Sequence, residues 1–251
     1  MIDAQLNKIL KRHNFKCCFV KKYHKDQIDE QEILKNQGKL FLSFKRTNAI
    51  QEAEDENYDI AILDDGLQDR TVAYNLSFVC FNNLNWVGNG FTIPSGPLRE
   101  SFKTIKDHKN IFVTGNLTNL ESIKKEILKI NPQSNILSAL YVPLNLNEFD
   151  KKEKYLVFSG IGNHESFVSM LKSNGLNIIK DLEFPDHYNY SDQKIYDITS
   201  QAKKLNCKIL TTEKDFLRLK ANSSNEIKFI KSELKINNEN DFLNILSDLH
   251  E

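Results

Sequence analysis

The chain has 251 residues, with 34 basic and 34 acidic residues and a formal net charge of zero. This length can bury a sizeable core as one large domain or as two domains of roughly 100–150 residues each, and we predict two lobes. The neutral balance argues against a global attraction to nucleic acid. No apolar run approaches the ~20 residues of a membrane span, and we expect no secretory leader.

The four cysteines show no spacing typical of a metal site. Two of them are adjacent within an apolar run, at Cys17 and Cys18. Free cysteines are among the residues most often buried in proteins, so we expect buried free thiols in a reducing compartment.

The first part of the chain alternates between the helical and the strand periodicity. The predicted helices cover residues 5–13, 29–37, 49–56 and 117–130, and the predicted strands cover residues 15–20, 40–44, 60–63, 76–81, 111–114 and 136–141. This alternation favours a parallel sheet with helices on both faces.

A polar connector at residues 143–152 predicts a domain boundary, with one lobe at 1–143 and a smaller α/β lobe at 144–251. In the second lobe we predict strands at 155–158, 176–179, 207–210 and 227–230, and helices at 163–172, 191–204 and 241–249. The mixed charges of Glu213, Lys214 and Asp215 after a strand are typical of a solvated helix start.

The segment at residues 57–70 carries the strongest chemical signal. Residues 60–63 form a short apolar run, followed at once by Asp64, Asp65 and Gly66. Ligands of open α/β sheets bind just beyond the carboxyl ends of strands, and a strand ending in acid is how P-loop nucleotide hydrolases hold Mg²⁺. A tight turn without metal chemistry is the alternative, because Asp-Gly is also a common turn sequence.

Residues 85–99 form a long segment rich in glycine and proline, without periodicity of its own. Long loops in compact domains are commonly functional. Its apolar residues from Trp86 to Phe91 could meet acyl chains, or could pack into the core.

Four motifs in this order resemble one family, the tetraacyldisaccharide 4′-kinases of lipid A biosynthesis. The motifs are LDDGLQ at 63–68, GNG with PSGPLRE at 88–100, GIGNHESF at 160–167, and FPDHYNYS with TTEKD at 184–191 and 211–215. The resemblance implies a P-loop-kinase-like fold, the cofactors ATP and Mg²⁺, and phosphorylation of the 4′-hydroxyl of an acylated glucosamine disaccharide 1-phosphate. It also implies work at the cytoplasmic face of the bacterial inner membrane, with the membrane surface and the glycolipid as partners.

The resemblance also implies roles for particular residues. Asp64 and Glu100 would hold the metal, and Asp65 would act beside them in catalysis. Asp29 would be the general base for the sugar hydroxyl, and His187 would position or tune that base. Contacts to the substrate would come from four further residues, Gln68, Arg99, Glu30 and Asn89.

One feature departs from the family pattern. The family has a phosphate-binding loop, G-x-x-x-x-G-K-[ST], ahead of its first core helix, whereas the first glycine here is Gly38. No cofactor-binding residue can therefore be named, since that loop supplies the N–H groups and the lysine that cradle the phosphates. Lys21 and Lys22 also stand where the family has Ser-Arg-Gly-Tyr. A chain that starts at an internal position and a protein that has lost kinase activity are both compatible with the pattern.

Two rival functions are open at this point. The first is a non-catalytic remnant or glycolipid-binding protein that does not bind ATP. The second is a phosphatase of the haloacid dehalogenase type, suggested by Asp-Asp-Gly after a strand. That chemistry needs a second acid two residues after the nucleophile, whereas Asp64 and Asp65 are adjacent. The sequence makes no prediction about oligomeric state.

Overall fold

The computed structural model describes residues 2–25, 28–219 and 226–247, with the side chains of residues 28–30 left aside. The helices are α1 (Ile2–Arg12), α2 (Ile28–Gln37), α3 (Arg46–Asp55), α4 (Leu120–Ile130), α5 (His164–Ser173), α6 (Asp192–Lys204), α7 (Glu213–Leu217) and α8 (Glu239–Ser247). The strands are β1 (Cys17–Lys22), β2 (Leu40–Ser43), β3 (Ile60–Leu63), β4 (Phe78–Asn82), β5 (Asn110–Thr114), β6 (Asn135–Pro143), β7 (Lys154–Ser159), β8 (Asn177–Glu183), β9 (Lys208–Thr212), β10 (Ile227–Ile230) and β11 (Ser232–Ile236).

These elements form three sheets. The first has the order β2-β1-β3, the second β11-β6-β5-β4 and the third β10-β9-β7-β8. All neighbouring strands run parallel except β11, which pairs antiparallel with β6. Strands buried on both faces read as continuous apolar runs, and β5 and β7 have this character.

The predicted helices and strands correspond to observed elements, with ends that differ by a few residues. Sequence periodicity missed β11, because a five-residue element carries too few positions to establish a period. The helix start expected at residues 213–215 corresponds to the short helix α7. The end of the predicted helix at 241–249 reaches residues that lie outside the described part of the chain.

The chain returns to its first part after building the third sheet. β11 pairs with β6, and Phe242 and Ile245 of α8 pack in one core cluster with Ile9 of α1 and Phe112 of β5. The division of the chain at residue 143 stays a prediction, and residues 232–247 pack on the sheet of the predicted first lobe.

A cavity of about 1070 Å³ separates the first two sheets. Its lining includes all of β3 and residues 78–81 of β4, the end strands of their sheets. Among the described residues no strand pairs with the outer edge of either one. The parallel sheet predicted for the first lobe is therefore interrupted between β3 and β4.

Polar side chains join the second and third sheets where their strands end. The Asn82 amide donates to the Ser166 hydroxyl over 3.3 Å, and the Asn116 amide donates to the Ser169 hydroxyl over 2.9 Å. Both serines lie on α5, so this helix is held against the carboxyl ends of β4 and β5.

In the described part of the chain, no helix is both long enough and apolar enough to span a membrane.

Cysteine burial follows the prediction in part. Cys17 and Cys18 are buried free thiols on β1, while Cys207 is partly buried. Cys80 does not fit the prediction, because it lies on β4 and is exposed to the cavity.

Candidate functional site

The acidic turn after β3 begins with a paired carboxylate. Asp64 Oδ2 accepts a hydrogen bond from Lys21 Nζ at 2.5 Å, and the Lys21 side chain is only 5% exposed. β1 and β3 are parallel neighbours with Val20 opposite Leu63, so the residues that follow in each strand meet at the same end of the sheet. A buried ammonium group requires such a partner, and this pairing holds the Asp64 carboxylate at the strand end.

Arg46 and Tyr74 fix the backbone of the same turn. Arg46 Nη2 donates to the carbonyl oxygens of Asp64 at 3.2 Å and Asp65 at 3.0 Å, while its Nη1 lies 3.1 Å from Asp69 Oδ2. The Tyr74 hydroxyl donates to the Gly66 carbonyl at 2.5 Å. Asp65 has a φ of 50°, a left-handed conformation that such contacts stabilise.

Asp69 closes the turn with hydrogen bonds of its own. Its carboxylate accepts hydrogen bonds from the Thr71 hydroxyl at 2.6 Å and the Thr71 N–H at 3.0 Å. These bonds, together with the Arg46 guanidinium, lower the pKa of Asp69 to about 2. No sequence motif indicated a role for Arg46 or Asp69, since their contact depends on the pairing of the strands.

Asp65, Gln68 and Arg99 come together on the surface. Arg99 Nη1 lies 2.6 Å from Asp65 Oδ1 and 3.4 Å from Gln68 Oε1. The Asp65 and Arg99 side chains are 60% and 58% exposed. Three of the residues predicted to act near the phosphates and the substrate are therefore neighbours.

Glu100 is exposed and lines the same cavity as Asp64 and Asp65. Within the described ranges, no group of three or more His, Cys, Asp or Glu side chains is arranged to hold a metal ion. Mg²⁺ in phosphoryl-transfer sites takes only one or two protein carboxylates and completes its shell with phosphate oxygens and waters. Asp64 and Glu100 both line the cavity, and two carboxylates of this kind match that donor set.

The glycine- and proline-rich loop is organised by Asn89. Its amide donates to the Ser95 carbonyl at 2.8 Å, and its Oδ1 accepts from the Phe91 N–H at 3.1 Å. Trp86 packs against Phe81 and Phe102 and donates its indole N–H to Glu126. The core-packing alternative therefore describes Trp86, whereas Phe91 is 64% exposed.

His187 lies in the third sheet's region, on the loop that follows β8. Its backbone has a φ of 59°, and its N–H donates to the Gly160 carbonyl at 3.1 Å. A Cβ atom at Gly160 would lie 2.9 Å from the Tyr188 Cβ and 3.0 Å from the Pro185 carbonyl oxygen. Only glycine at position 160 allows the loop of His187 to pack this closely.

Asp215 is fully buried, and several groups of this region donate hydrogen bonds to its carboxylate. Its carboxylate accepts hydrogen bonds from the Gly160 N–H at 3.0 Å, the Tyr190 hydroxyl at 3.1 Å and the Thr212 hydroxyl at 2.6 Å. The prediction of a solvated helix start is wrong for Asp215. Thr212 caps α7 and turns the carboxylate inward, and periodicity could not reveal that turn.

Arg218 is the third polar residue of this region and directly follows α7 as its C-cap residue. Its Nη1 donates to the Gly160 carbonyl at 3.1 Å and lies 3.4 Å from Asp215 Oδ1. Its Nη2 lies 3.2 Å from His187 Nδ1. The sequence signal that could have found it is the spacing of three residues after Asp215 on a helical turn.

The structure thus gathers the predicted site residues into two groups. Asp64, Asp65, Gln68, Arg99 and Glu100 line the cavity. His187 belongs to a separate group, and among the described residues the cavity lining includes none from 144–219.

Three predicted residues fall outside these groups. Asn89 lies in the glycine- and proline-rich loop and is not among the residues that line the cavity. Asp29 and Glu30 lie at the start of α2, and their side chains lie outside the described part of the structure.

Comparison with known proteins agrees with the resemblance. The family model described as tetraacyldisaccharide-1-P 4′-kinase matches residues 20–251. A tetraacyldisaccharide 4′-kinase of Pelagibacter ubique is 51% identical over 250 residues, which is all of this chain and 80% of that protein. One of Rickettsia akari is 36% identical over 217 residues, which is 86% of this chain and 64% of that protein.

A solved structure has the same fold. It is the crystal structure of LpxK from Aquifex aeolicus in complex with ATP, with a TM-score of 0.63 and 19% sequence identity. The match covers 98% of this chain and 82% of that one. The predicted α/β fold of P-loop-kinase type is confirmed, and so is the prediction of a kinase family. The extent of these matches shows that the chain belongs to the tetraacyldisaccharide 4′-kinase family.

Proposed function

We propose that the chain transfers the γ-phosphoryl group of ATP to the 4′-hydroxyl of an acylated glucosamine disaccharide 1-phosphate. The observation that carries this proposal is the acidic turn after β3, held by Lys21 and Arg46 within a chain that matches the kinase family over 232 of its residues, 20–251. A non-catalytic role is not favoured, because the Pelagibacter relative named as a kinase is 51% identical over the whole of this chain.

Asp64 and Glu100 would hold Mg²⁺, with Asp65 beside them on the turn. When bound, this ion neutralises charge on the transferring phosphoryl group. Lys21 holds the Asp64 carboxylate in place at the strand end. Arg99 is placed to exchange its exposed contact with Asp65 for phosphate oxygens, since its planar fork suits both partners.

The acceptor hydroxyl would meet Asp29 as general base, with Glu30 and Gln68 contacting the substrate. His187 would position that base from the second group of residues. Closure of the two groups around the substrate would exclude water, as in other kinases. Asn89 would act by shaping the loop through its contacts with Ser95 and Phe91, and so would present the loop to the glycolipid.

A phosphate-binding segment would lie in the cavity between β3 and β4. Each of these strands has an outer edge that no other described strand occupies, and both edges face the same space. One extended segment parallel to them would satisfy both rows of backbone groups. Cys80 is exposed to this cavity.

The reaction would take place at the cytoplasmic face of the inner membrane, where an acylated substrate resides. Phe91 and Ile93 support this placement, because they lie two positions apart in one loop and are 64% and 65% exposed. Exposed apolar side chains that lie together commonly mark a surface that meets lipid or another apolar partner.

The test is a phosphate-transfer assay with labelled ATP, Mg²⁺ and the acylated disaccharide 1-phosphate. The rate of transfer would be measured for the 251-residue chain alone. It would also be measured for the chain mixed with a polypeptide that comprises the 20% of the Pelagibacter relative outside the match. We expect transfer in the mixture, accompanied by protection of Cys80 from maleimide.

Asp64→Asn should abolish transfer, whereas Asp55→Asn, an exposed acid at the end of α3, should leave it unchanged. Absence of Mg²⁺-dependent ATP binding both alone and in the mixture would reject the kinase assignment for this chain. Glycolipid binding without ATP binding would support the non-catalytic alternative.

A further inference from the structure

Three features around His187 indicate that a network of hydrogen bonds fixes its side chain. The first is the His187 backbone, which has a φ of 59° and is tied to the Gly160 carbonyl by its own N–H. The second is Gly160, whose carbonyl also accepts a hydrogen bond from Arg218. The third is the fully buried Asp215, which accepts from the Gly160 N–H and lies beside Arg218. One guanidinium therefore connects the loop, the glycine and the buried acid.

The orientation of Arg218 is determined by the groups around it. Its side chain is 16% exposed, and Nη1 is directed at Gly160 and Asp215. The planar geometry of the guanidinium then fixes the direction of Nη2, which lies 3.2 Å from His187 Nδ1. The donors of an arginine cannot rotate independently, so the buried end sets the position of the exposed end.

This contact has a definite chemical consequence for the imidazole. Arginine has five N–H donors and no acceptor, so a hydrogen bond between Nη2 and Nδ1 requires a lone pair on Nδ1. The hydrogen of the neutral ring is then on Nε2, which faces Asp186 Oδ2 at 3.8 Å. His187 can donate from Nε2, and its Nδ1 is occupied by Arg218.

We propose that Arg218 is a positioning residue that holds His187 as the Nε2–H tautomer, so that His187 serves the reaction as a hydrogen-bond donor. Only the catalytic part of this statement rests on the proposed kinase function. The tautomer is a property of the folded chain and is measured without ATP or glycolipid.

The first experiment is a long-range ¹H–¹⁵N spectrum of the ¹⁵N-histidine-labelled chain at a pH where imidazole is neutral. His187→Gln identifies the signals of His187 among the six histidines. We expect the pattern of the Nε2–H tautomer in the unsubstituted chain and a mixture of tautomers in Arg218→Gln. The Nδ1–H pattern, or a mixture already present in the unsubstituted chain, would overturn the proposal whether or not the variant folds.

Two further variants separate positioning from a general loss of structure. Arg12→Gln is the matched control, because Arg12 is an exposed arginine that pairs with Glu239 on the surface. It should leave the His187 spectrum unchanged. Arg218→Lys keeps the charge but lacks the fork, so it should restore the tautomer only in part.

Kinetics test the catalytic consequence. Arg218→Gln should lower kcat by about ten-fold with little change in KM for the glycolipid, which is a smaller loss than the ~10²–10⁴-fold typical of removing a proton-transfer group itself. An unchanged kcat in a variant whose tautomer has shifted would refute the role in catalysis while leaving the assay itself, and the proposed function, intact.

Discussion

The two groups of site residues are built in different ways. The acidic turn after β3 carries exposed charges, with Asp65 and Arg99 paired at 60% and 58% exposure beside an open cavity. The region of Gly160 and Asp215 is closed, and its central carboxylate is fully buried among four donors. Exposed ion pairs exchange partners at little cost, whereas a buried carboxylate is costly to disturb.

This difference suggests that the two groups have different roles in the proposed reaction. The turn can release Asp65 and Arg99 to a metal ion or to phosphates, because water competes for their contacts in any case. The buried region holds Gly160, Arg218 and His187 in one arrangement before any ligand arrives.

The largest effect is expected from removal of the buried carboxylate. Asp215→Ala leaves four donors without their acceptor, and we expect the free energy of unfolding to fall by about 3–5 kcal/mol, as for other broken buried pairs. Asp65→Ala is the comparison from the exposed turn, and should change stability by about 0–1 kcal/mol. Urea denaturation of the two variants measures both values, and equal losses would contradict the contrast.

An intermediate effect is expected from Tyr190, the aromatic donor to Asp215. Burial raises the pKa of the Tyr190 hydroxyl far above its usual value, and the neighbouring Asp215 raises it further. Because the folded pKa is higher than the unfolded one, its stabilising contribution is complete below about pH 10 and is lost as the pH rises above that value.

Tyr190→Phe removes that dependence on pH together with one hydrogen bond. We expect a loss of about 1–2 kcal/mol at neutral pH and a flatter fall of stability above pH 10 than in the unsubstituted chain. Unfolding measured at several alkaline pH values distinguishes the two profiles. Tyr196→Phe is a suitable control, because Tyr196 is 66% exposed on α6.

The smallest effect concerns Asp69 in the exposed turn. Hydrogen bonds from Thr71 are the main cause of its pKa of about 2, so Thr71→Val should raise that pKa toward the usual value without unfolding the chain. A lowered folded pKa stabilises the protein above the unfolded pKa and ceases to do so as the pH falls through about 2. An NMR titration of the Asp69 carboxyl carbon measures the shift, and an unchanged value would show that the Thr71 hydroxyl does not contribute to it.

The sequence predicted the first of the two regions better than the second. Asp64 and Asp65 follow a recognisable strand directly, so local order along the chain was enough to place them at its end. Arg99 and Gln68 were predicted from the motif, and the structure brings them together with Asp65.

The roles assigned to all nine site residues stay predictions, including those of Asp29, Asn89 and His187. Asp215 was misread because its burial depends on contacts with Gly160, which is 55 residues away along the chain.

The family, the α/β alternation and the acidic strand end could be predicted without a structure, since each depends on residues that are close together in the chain. The structure was needed to show that Lys21 pairs with Asp64, that β3 and β4 border one cavity, and that Arg218 reaches His187. Those contacts join residues on different strands and loops, and no local periodicity specifies which distant backbone segments will become neighbours. Burial also depends on residues that are distant in the chain, because everything that packs around a carboxylate decides whether it contacts water or four hydrogen-bond donors.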